Sequence, residues 1–446
     1  MLAEGSLMVL ANRSRIYAGG SLKNLGSFPT LFQVFTYFRL AASRRYADHG
    51  MVGRSAMKDT KQTFTPRISI AVRAWNEEAA IRATLDSLFQ QSLFEALSKR
   101  QEGCEVLCIA NGCIDRTARI AAEVFEEEQQ THPFASAFTC RVAEIAEAGR
   151  NNTWNAFVHS LSHREAQFLY LMDSDIVFNR ADTLANMYAA LLNNPRACIA
   201  SDRQYKDIGF KNNKSLRDRI SLATSDMTRT IEGQITGQLY CIRADVARRL
   251  YLPKDLGATD DGFIKAVVCT DFFSEELNPN RIIAVENASH VYAAYRSVRE
   301  ILNNQKRQMI GQTTVHVLVE HLKSLPLEQR INLATTLMKR ETADPDWLKR
   351  LINQHVSKAP FFWQLFPGVF SFRFKRWWKL GGFWKVTHLP AACIGFAVTL
   401  IACARAHRHL KRGLTTLYWP KAGRANIERL KTIETNHAGN PQPVKN

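Results

Sequence analysis

Phe168-Leu169-Tyr170-Leu171-Met172-Asp173-Ser174-Asp175 delivers two carboxylates, one residue apart, from the end of an apolar run. The run reads as a buried strand and the acidic pair as the loop that follows it. In open α/β sheets, ligands bind outside the carboxyl ends of strands. Two acidic side chains placed there repel unless a cation lies between them. Hard oxygen donors suit Mg2+ or Mn2+, which in turn neutralises a diphosphate. Taken alone, the pattern equally fits a strand-end turn with an Asx cap.

Working outward, other runs take the same form. The β-branched segment 68–72 and the apolar segment 106–110 read as strands. Segments 77–91, 115–125, 148–161 and 184–192 carry apolar residues at helical spacing. Strands alternating with helices predict an α/β layer fold with a mostly parallel sheet. From 297 to 351 the pattern becomes long and helical. Residues 1–66 are weakly patterned, with one amphipathic helix expected over 30–45. The expected organisation is an N-terminal extension (1–66), an α/β domain (67–300), a helical region (301–360) and a basic, aromatic C-terminal region (361–446).

Five further segments accompany the acidic pair. Arg73-Ala74-Trp75-Asn76-Glu77-Glu78 follows the first strand, and Ala110-Asn111-Gly112-Cys113-Ile114-Asp115-Arg116-Thr117 follows the second. Gly149-Arg150-Asn151-Asn152-Thr153-Trp154-Asn155 opens a helix. Gly237-Gln238-Leu239-Tyr240-Cys241-Ile242-Arg243 precedes Thr259-Asp260-Asp261-Gly262. In this order and spacing, together with Asp173 and Asp175, they resemble the family 2 glycosyltransferases of the GT-A, Rossmann-like fold. The resemblance covers about residues 67–312.

The resemblance implies roles at the matched positions. Ala74, Trp75, Asn76 and Glu77 would contact the base and ribose of a nucleotide-sugar. Asn111 and Asp115 would belong to the second donor-binding loop. Arg150, at the place of a usual Lys, and Asn155 would lie near the pyrophosphate, and Arg307 would join the donor site. Asp173 would face the ribose or metal, Asp175 would ligate Mn2+ or Mg2+, and His290 would either complete the metal site or stand as a satisfied strand-end histidine. Asp261, with Asp260 beside it, matches the general base of an inverting, single-displacement transfer.

The chain also departs from the family pattern. Arg73 replaces a Pro, Trp75 a Tyr, Ala110 the first Asp of the second loop, and Asp260 a Glu. Asn304-Gln305-Lys306-Arg307-Gln308 keeps the Arg of the processive members' motif without its Trp, which favours a single transfer. Gly311 keeps its place four residues beyond Arg307.

Composition places the work. The 446 residues carry a formal charge of +18 with 46% hydrophobic and 22% charged residues, which excludes wholesale disorder, collagen and coiled coil. A mean hydropathy of −0.22 argues against a polytopic membrane protein. Nine scattered cysteines without a CxxC suit reduced thiols. Residues 1–20 show no secretory pattern. Residues 361–446 hold 14 Lys and Arg against 2 Asp and Glu, two thirds of the net charge. Phe361, Phe362, Trp363, Trp377, Trp378 and Trp384 interleave with those cations, and an apolar run follows at 389–404. Such a mixture suits an anionic headgroup boundary; a buried helix with a basic flank is the plainer reading. The expected protein moves one sugar, from a UDP-sugar, to a lipid-linked or envelope-glycan acceptor at the cytoplasmic membrane face, held there peripherally or monotopically. The competing readings are a catalytically inactive membrane scaffold with the same fold and a basic nucleic-acid-binding protein. No nucleic-acid module supports the latter, so no nucleic-acid partner is expected.

Overall fold

The computed structural model describes residues 64–215, 218, 221–222, 233–257, 259–295, 297–366, 369, 378 and 389–413. The helix expected over 30–45 and most of the aromatic, basic stretch 370–388 lie outside the described residues.

Strands β1 (Pro66–Ala74), β2 (Gly103–Asn111) and β4 (Phe168–Asp173) are buried along almost their whole length. Their near-continuous apolar character follows from this, because a parallel strand covered by helices on both faces has no solvent side. With β3 (Phe138–Ile145), β5 (Ile176–Phe178), β6 (Ile199–Lys206), β7 (Leu239–Arg243) and β8 (Ile282–Tyr292) they form one sheet. The strand order is β3-β2-β1-β4-β7-β6-β8-β5.

The expectation of a mostly parallel sheet needs correction: the sheet is mixed. The pairs β1–β2, β1–β4, β2–β3 and β6–β8 are parallel, whereas β4–β7, β6–β7 and β5–β8 are antiparallel. The added strands include segments of three and five residues, too short to show a period of their own. Their direction is set by which neighbour they pair with.

Helix α1 (Ile81–Phe89) covers one face of the sheet, with α2 (Thr117–Thr131) and α4 (Thr183–Asn193). Their buried faces share a core with Ile70, Val72, Val106 and Tyr170. On the opposite face lie α3 (Arg150–Ala156) and α5 (Asp260–Cys269), built around Trp154 and Phe263. Helix α1 starts later than periodicity predicts, because the backbone of 76–78 is drawn instead to the loop after β2. Helix α3 ends early, in a single wide π turn over Phe157–Leu161.

The long helical region is several helices. The first, α6 (Val298–Lys323), opens on a capping box in which the Ser297 hydroxyl accepts from the Glu300 amide and the Glu300 carboxylate accepts from the Ser297 amide. Next in the core come α7 (Trp347–Ser357) and α8 (Leu389–Lys411). Buried Leu318, Trp347, Ile352, Cys403, Ala406 and Leu410 join the same core as Trp154 and Phe263, so these helices pack directly on the sheet domain. Among the described residues, no helix is long and apolar enough to cross a membrane. All nine cysteines are free thiols.

Candidate active site

The carboxyl ends of β1, β2 and β4 open on one side of the sheet, and the residues singled out in the sequence gather there. Register does the first part of the work. Arg73 at the end of β1 lies opposite Asp173 at the end of β4, and Ala74 lies opposite Ala110 on β2.

Two loops are laced together above β1 and β2. Asn76 adopts a left-handed backbone, φ 54°, which Asn tolerates better than most residues. Its side-chain oxygen accepts from the Ile114 amide at 2.7 Å, and its own amide donates to Cys113 Sγ at 3.2 Å. The Glu77 amide donates to Thr117 Oγ1 at 2.7 Å, and the Glu78 amide to Asp115 Oδ2 at 3.2 Å. Asp115 also accepts from the Thr117 amide at 3.0 Å, so its carboxylate knots the two loops. Asn111 is fully buried; its Oδ1 accepts from the Gly149 amide at 3.2 Å, and its Nδ2 has no hydrogen-bond partner among the described residues. Asn155 is engaged at both ends of its amide by the backbone of Leu252, at 2.8 and 2.9 Å. It holds the segment leading towards Asp260.

Below the loops lies a buried cluster of two guanidiniums and two carboxylates. Arg73, completely buried, donates to Asp173 Oδ1 at 2.7 Å and lies 3.5 Å from Asp260 Oδ2. Arg150, at the start of α3, donates to both oxygens of Asp173 at 3.0 and 3.1 Å and to Asp260 Oδ1 at 2.9 Å. Both arginines also donate to the Gly237 carbonyl, at 3.0 and 2.5 Å. Burial opposes ionisation of Asp260, yet Arg150 and Arg73 outweigh it and hold its carboxyl below the usual carboxylate range. The same carboxylates keep Arg150 firmly protonated.

Two neighbouring carboxyls have the opposite character. Burial, then the charge of Asp260, push Asp261 up to about 6; the Gly262 amide, Arg150 and Arg307 offset only part of this. Asp261 accepts from the Gly262 amide at 2.8 Å and is only half-buried, at the first turn of α5. Burial and the charge of Asp173 likewise push Asp175 up to about 6, against Arg150 and His290. His290 on β8 is fully buried. Its Nδ1 meets Asp202 Oδ2 at 2.6 Å and its Nε2 meets Gln238 Oε1 at 3.2 Å. Arg307 on α6 donates to Asn304 Oδ1 at 2.8 Å and acts electrostatically on Asp261.

Residues 69–245 match the family described as glycosyl transferase family 2. The chain carries a family 2 glycosyl transferase domain. No curated protein matches the chain. Among solved structures, the chain is similar to a mannosyltransferase from Pyrobaculum calidifontis in complex with GDP-Man and Mn2+. That pair shares 15% identity and a TM-score of 0.44 over 97% of this chain and 98% of the other. It is similar also to S. aureus TarS 1-349, at 13% identity and TM-score 0.40 over 78% of this chain and 92% of that one. A third is glucosyl-3-phosphoglycerate synthase from Mycobacterium tuberculosis, in complex with Mn2+, UDP-Glc and phosphoglyceric acid. It shows 14% identity and TM-score 0.37 over 58% of this chain and 81% of that one.

Two residues of the glycosyltransferase domain show their part only in three dimensions. Arg73 stands in the sequence as a departure from a Pro, but in space it is the innermost cation of the cluster. Asp202, in the first half of β6 where its register with β8 shifts, carries no motif, and folding brings its carboxylate to 2.6 Å from His290. A lone acid in an otherwise apolar strand start was its one sequence signal.

Gly311 accounts for the approach of α6. A Cβ there would lie 2.8 Å from Thr259 Cβ, closer than real Cβ atoms come. Thr259 immediately precedes Asp260 and Asp261. Gly311→Val is expected to push this turn away while the core persists. Misplacing a catalytic group by about 1 Å costs roughly a hundredfold in rate. Turnover measured with saturating donor should fall by about that factor with an unchanged far-ultraviolet spectrum; wild-type turnover would remove Gly311 from the site.

Proposed function

We propose that this glycosyltransferase moves one sugar from a nucleotide-sugar, a UDP-sugar by preference, to an acceptor hydroxyl with inversion, using Asp261 as base. The observation that carries this is the division among the four acids. Asp173 and Asp260 are neutralised by Arg73 and Arg150, which leaves Asp261 poised near neutrality at the edge of the site.

In the proposed reaction, Asp261 accepts the proton of the acceptor hydroxyl as its oxygen bonds to the anomeric carbon. The bond from that carbon to the diphosphate breaks, and the nucleoside diphosphate leaves with the electron pair. Arg150 and Asp260 hold the turn that presents Asp261, and Arg307 brings positive charge to the leaving side. The loops of Ala74–Glu77 and Asn111–Asp115 would form the nucleotide's bed.

Mg2+ and Mn2+ are commonly held by one or two carboxylates together with substrate phosphates rather than by a full protein cage. The residues present fit such an ion. Among the described residues, no three His, Cys, Asp or Glu side chains make a cage. Asp175, however, is a carboxyl whose charge burial and Asp173 disfavour, with Arg150 and His290 only partly offsetting them. A divalent cation would reverse that balance. Asp175 would hold it with the substrate's phosphates, whereas both ring nitrogens of His290 are already engaged, by Asp202 and Gln238. When bound, the ion would neutralise charge on the departing diphosphate.

Exposed aromatic and apolar side chains support an acceptor that is membrane-borne, at the cytoplasmic face of an anionic membrane. Phe361 and Trp363, each about half exposed, stack at 4.6 Å, and Phe396, Leu400 and Ile401 lie exposed on α8.

A pH profile tests the base. Asp261 must be ionised to accept a proton, so kcat/KM with a UDP-sugar should be level above its pKa of about 6. Below that it should fall about tenfold per pH unit. A flat profile between pH 4.5 and 8 would contradict the assignment.

A further inference from the structure

On the far side of Arg307, α6 and α8 pack along one another. Between them Lys306, Arg405, Arg408, His409 and Arg412 line a cavity of about 240 Å³. Arg405, Arg408, His409 and Arg412 share one face of the chain at spacings of three and four residues, and Lys306 meets them across the gap. Four of the five side chains are permanent cations, yet the sequence has no Asp or Glu at 301–319 or at 386–427.

The cations press on one another. Burial, then the charge of Arg405, lower the pKa of Lys306. Burial, then Lys306 and Arg412, lower that of His409. His409 Nε2 is buried without a hydrogen-bond partner among the described residues. Arg405 donates to Asn303 Oδ1 at 2.9 Å, which fixes one wall. Folding gathers these charges at an electrostatic cost, and a bound anion would offset it.

We infer that this cavity binds a phosphate group carrying two or more negative charges, a phosphomonoester or a diphosphate. A single carboxylate would leave most of the four cations unmatched. Arginine's planar fork matches phosphate oxygens bidentately, and three arginines converge here. A water takes about 30 Å³ of liquid volume, so the cavity has room for a phosphate together with part of what it esterifies. The same chemistry comes either from a free phosphate or diphosphate, or from a lipid headgroup. The exposed Phe396, Leu400 and Ile401 on α8, one to four turns before these arginines, suit the second source. Occupancy of the cavity does not depend on the transfer reaction.

The test uses the full chain in EDTA, which suppresses cation-dependent diphosphate binding at the donor site. Calorimetry with inorganic pyrophosphate reads the first source. Flotation with phosphatidylcholine vesicles, with and without phosphatidic acid, reads the second. The comparison protein is Arg408→Gln/Arg412→Gln, since both side chains are exposed and the fold does not rest on them. Losing two charge-assisted contacts should weaken binding roughly tenfold or more. Its melting temperature should hold or rise slightly, because two mutually repelling charges are gone, and UDP binding with Mn2+ should be unchanged. Loss of pyrophosphate binding assigns a free phosphate ligand, and loss of phosphatidate-dependent flotation alone assigns a lipid headgroup. If wild type and variant behave alike in both arms, or neither binds, the inference is overturned. Failure of UDP binding in the wild type would instead count against the donor site and leave this result readable.

Discussion

Asp261→Asn is expected to bind UDP-sugar as the wild type does and to lose transfer by roughly a hundredfold to ten-thousandfold, the range a positioned general base contributes. Asn keeps the shape of Asp and its acceptor oxygen, so the 2.8 Å bond from the Gly262 amide survives. It also removes a charge that burial and Asp260 disfavour, so the fold should not suffer. The acceptor's proton then has no base within the site. The expected signature is a fall in kcat with little change in donor affinity. Full activity in this variant would sink the mechanism.

Arg73→Met is expected to be the most damaging substitution for stability. Arg73 is completely buried and is shared by Asp173 and Asp260, themselves almost fully buried. Methionine fills much of the space but leaves two carboxylates facing the single charge of Arg150. Removing one partner of a buried ion pair costs about 3–5 kcal/mol, read as a lower urea midpoint. Arg73→Met/Asp173→Asn restores a balanced Arg150–Asp260 pair. The double variant should therefore be more stable than the sum of its singles by about 0.5–3 kcal/mol. Strict additivity would mean that the cluster is not electrostatically coupled. The expectation bears on function as well, because the same cluster seats the turn that carries Asp261.

The usefulness of the local pattern can be judged from particular elements. Strands β1, β2 and β4 were readable because both faces of a central parallel strand are buried, so side-chain type alone marks them. The acidic and amide residues at their carboxyl ends were readable as a site because a parallel sheet gathers those ends on one edge. Strands β5 and β7 were not readable, since runs of three and five residues carry no period. Arg73 was visible only as an oddity, because its partner Asp173 lies a hundred residues away. Asn111 and Asn155 were matched by motif, but their buried amides and backbone partners emerge only from packing.

From residue types and spacing alone follow an α/β layer and acidic and amide residues at its strand ends; the resemblance to family 2 glycosyltransferases adds the roles expected of them. Those features depend on periodicity and short-range order, which a chain carries within a few residues. Tertiary structure alone decided that the sheet is mixed, that Arg73 and Arg150 neutralise Asp173 and Asp260, and that Asp261 and Asp175 are left with raised pKa values. It also brought Lys306 against Arg405, Arg408 and Arg412, about a hundred residues on. Pairings of that kind depend on strand register and helix docking. These are settled by burial summed over the whole core, which no single segment encodes.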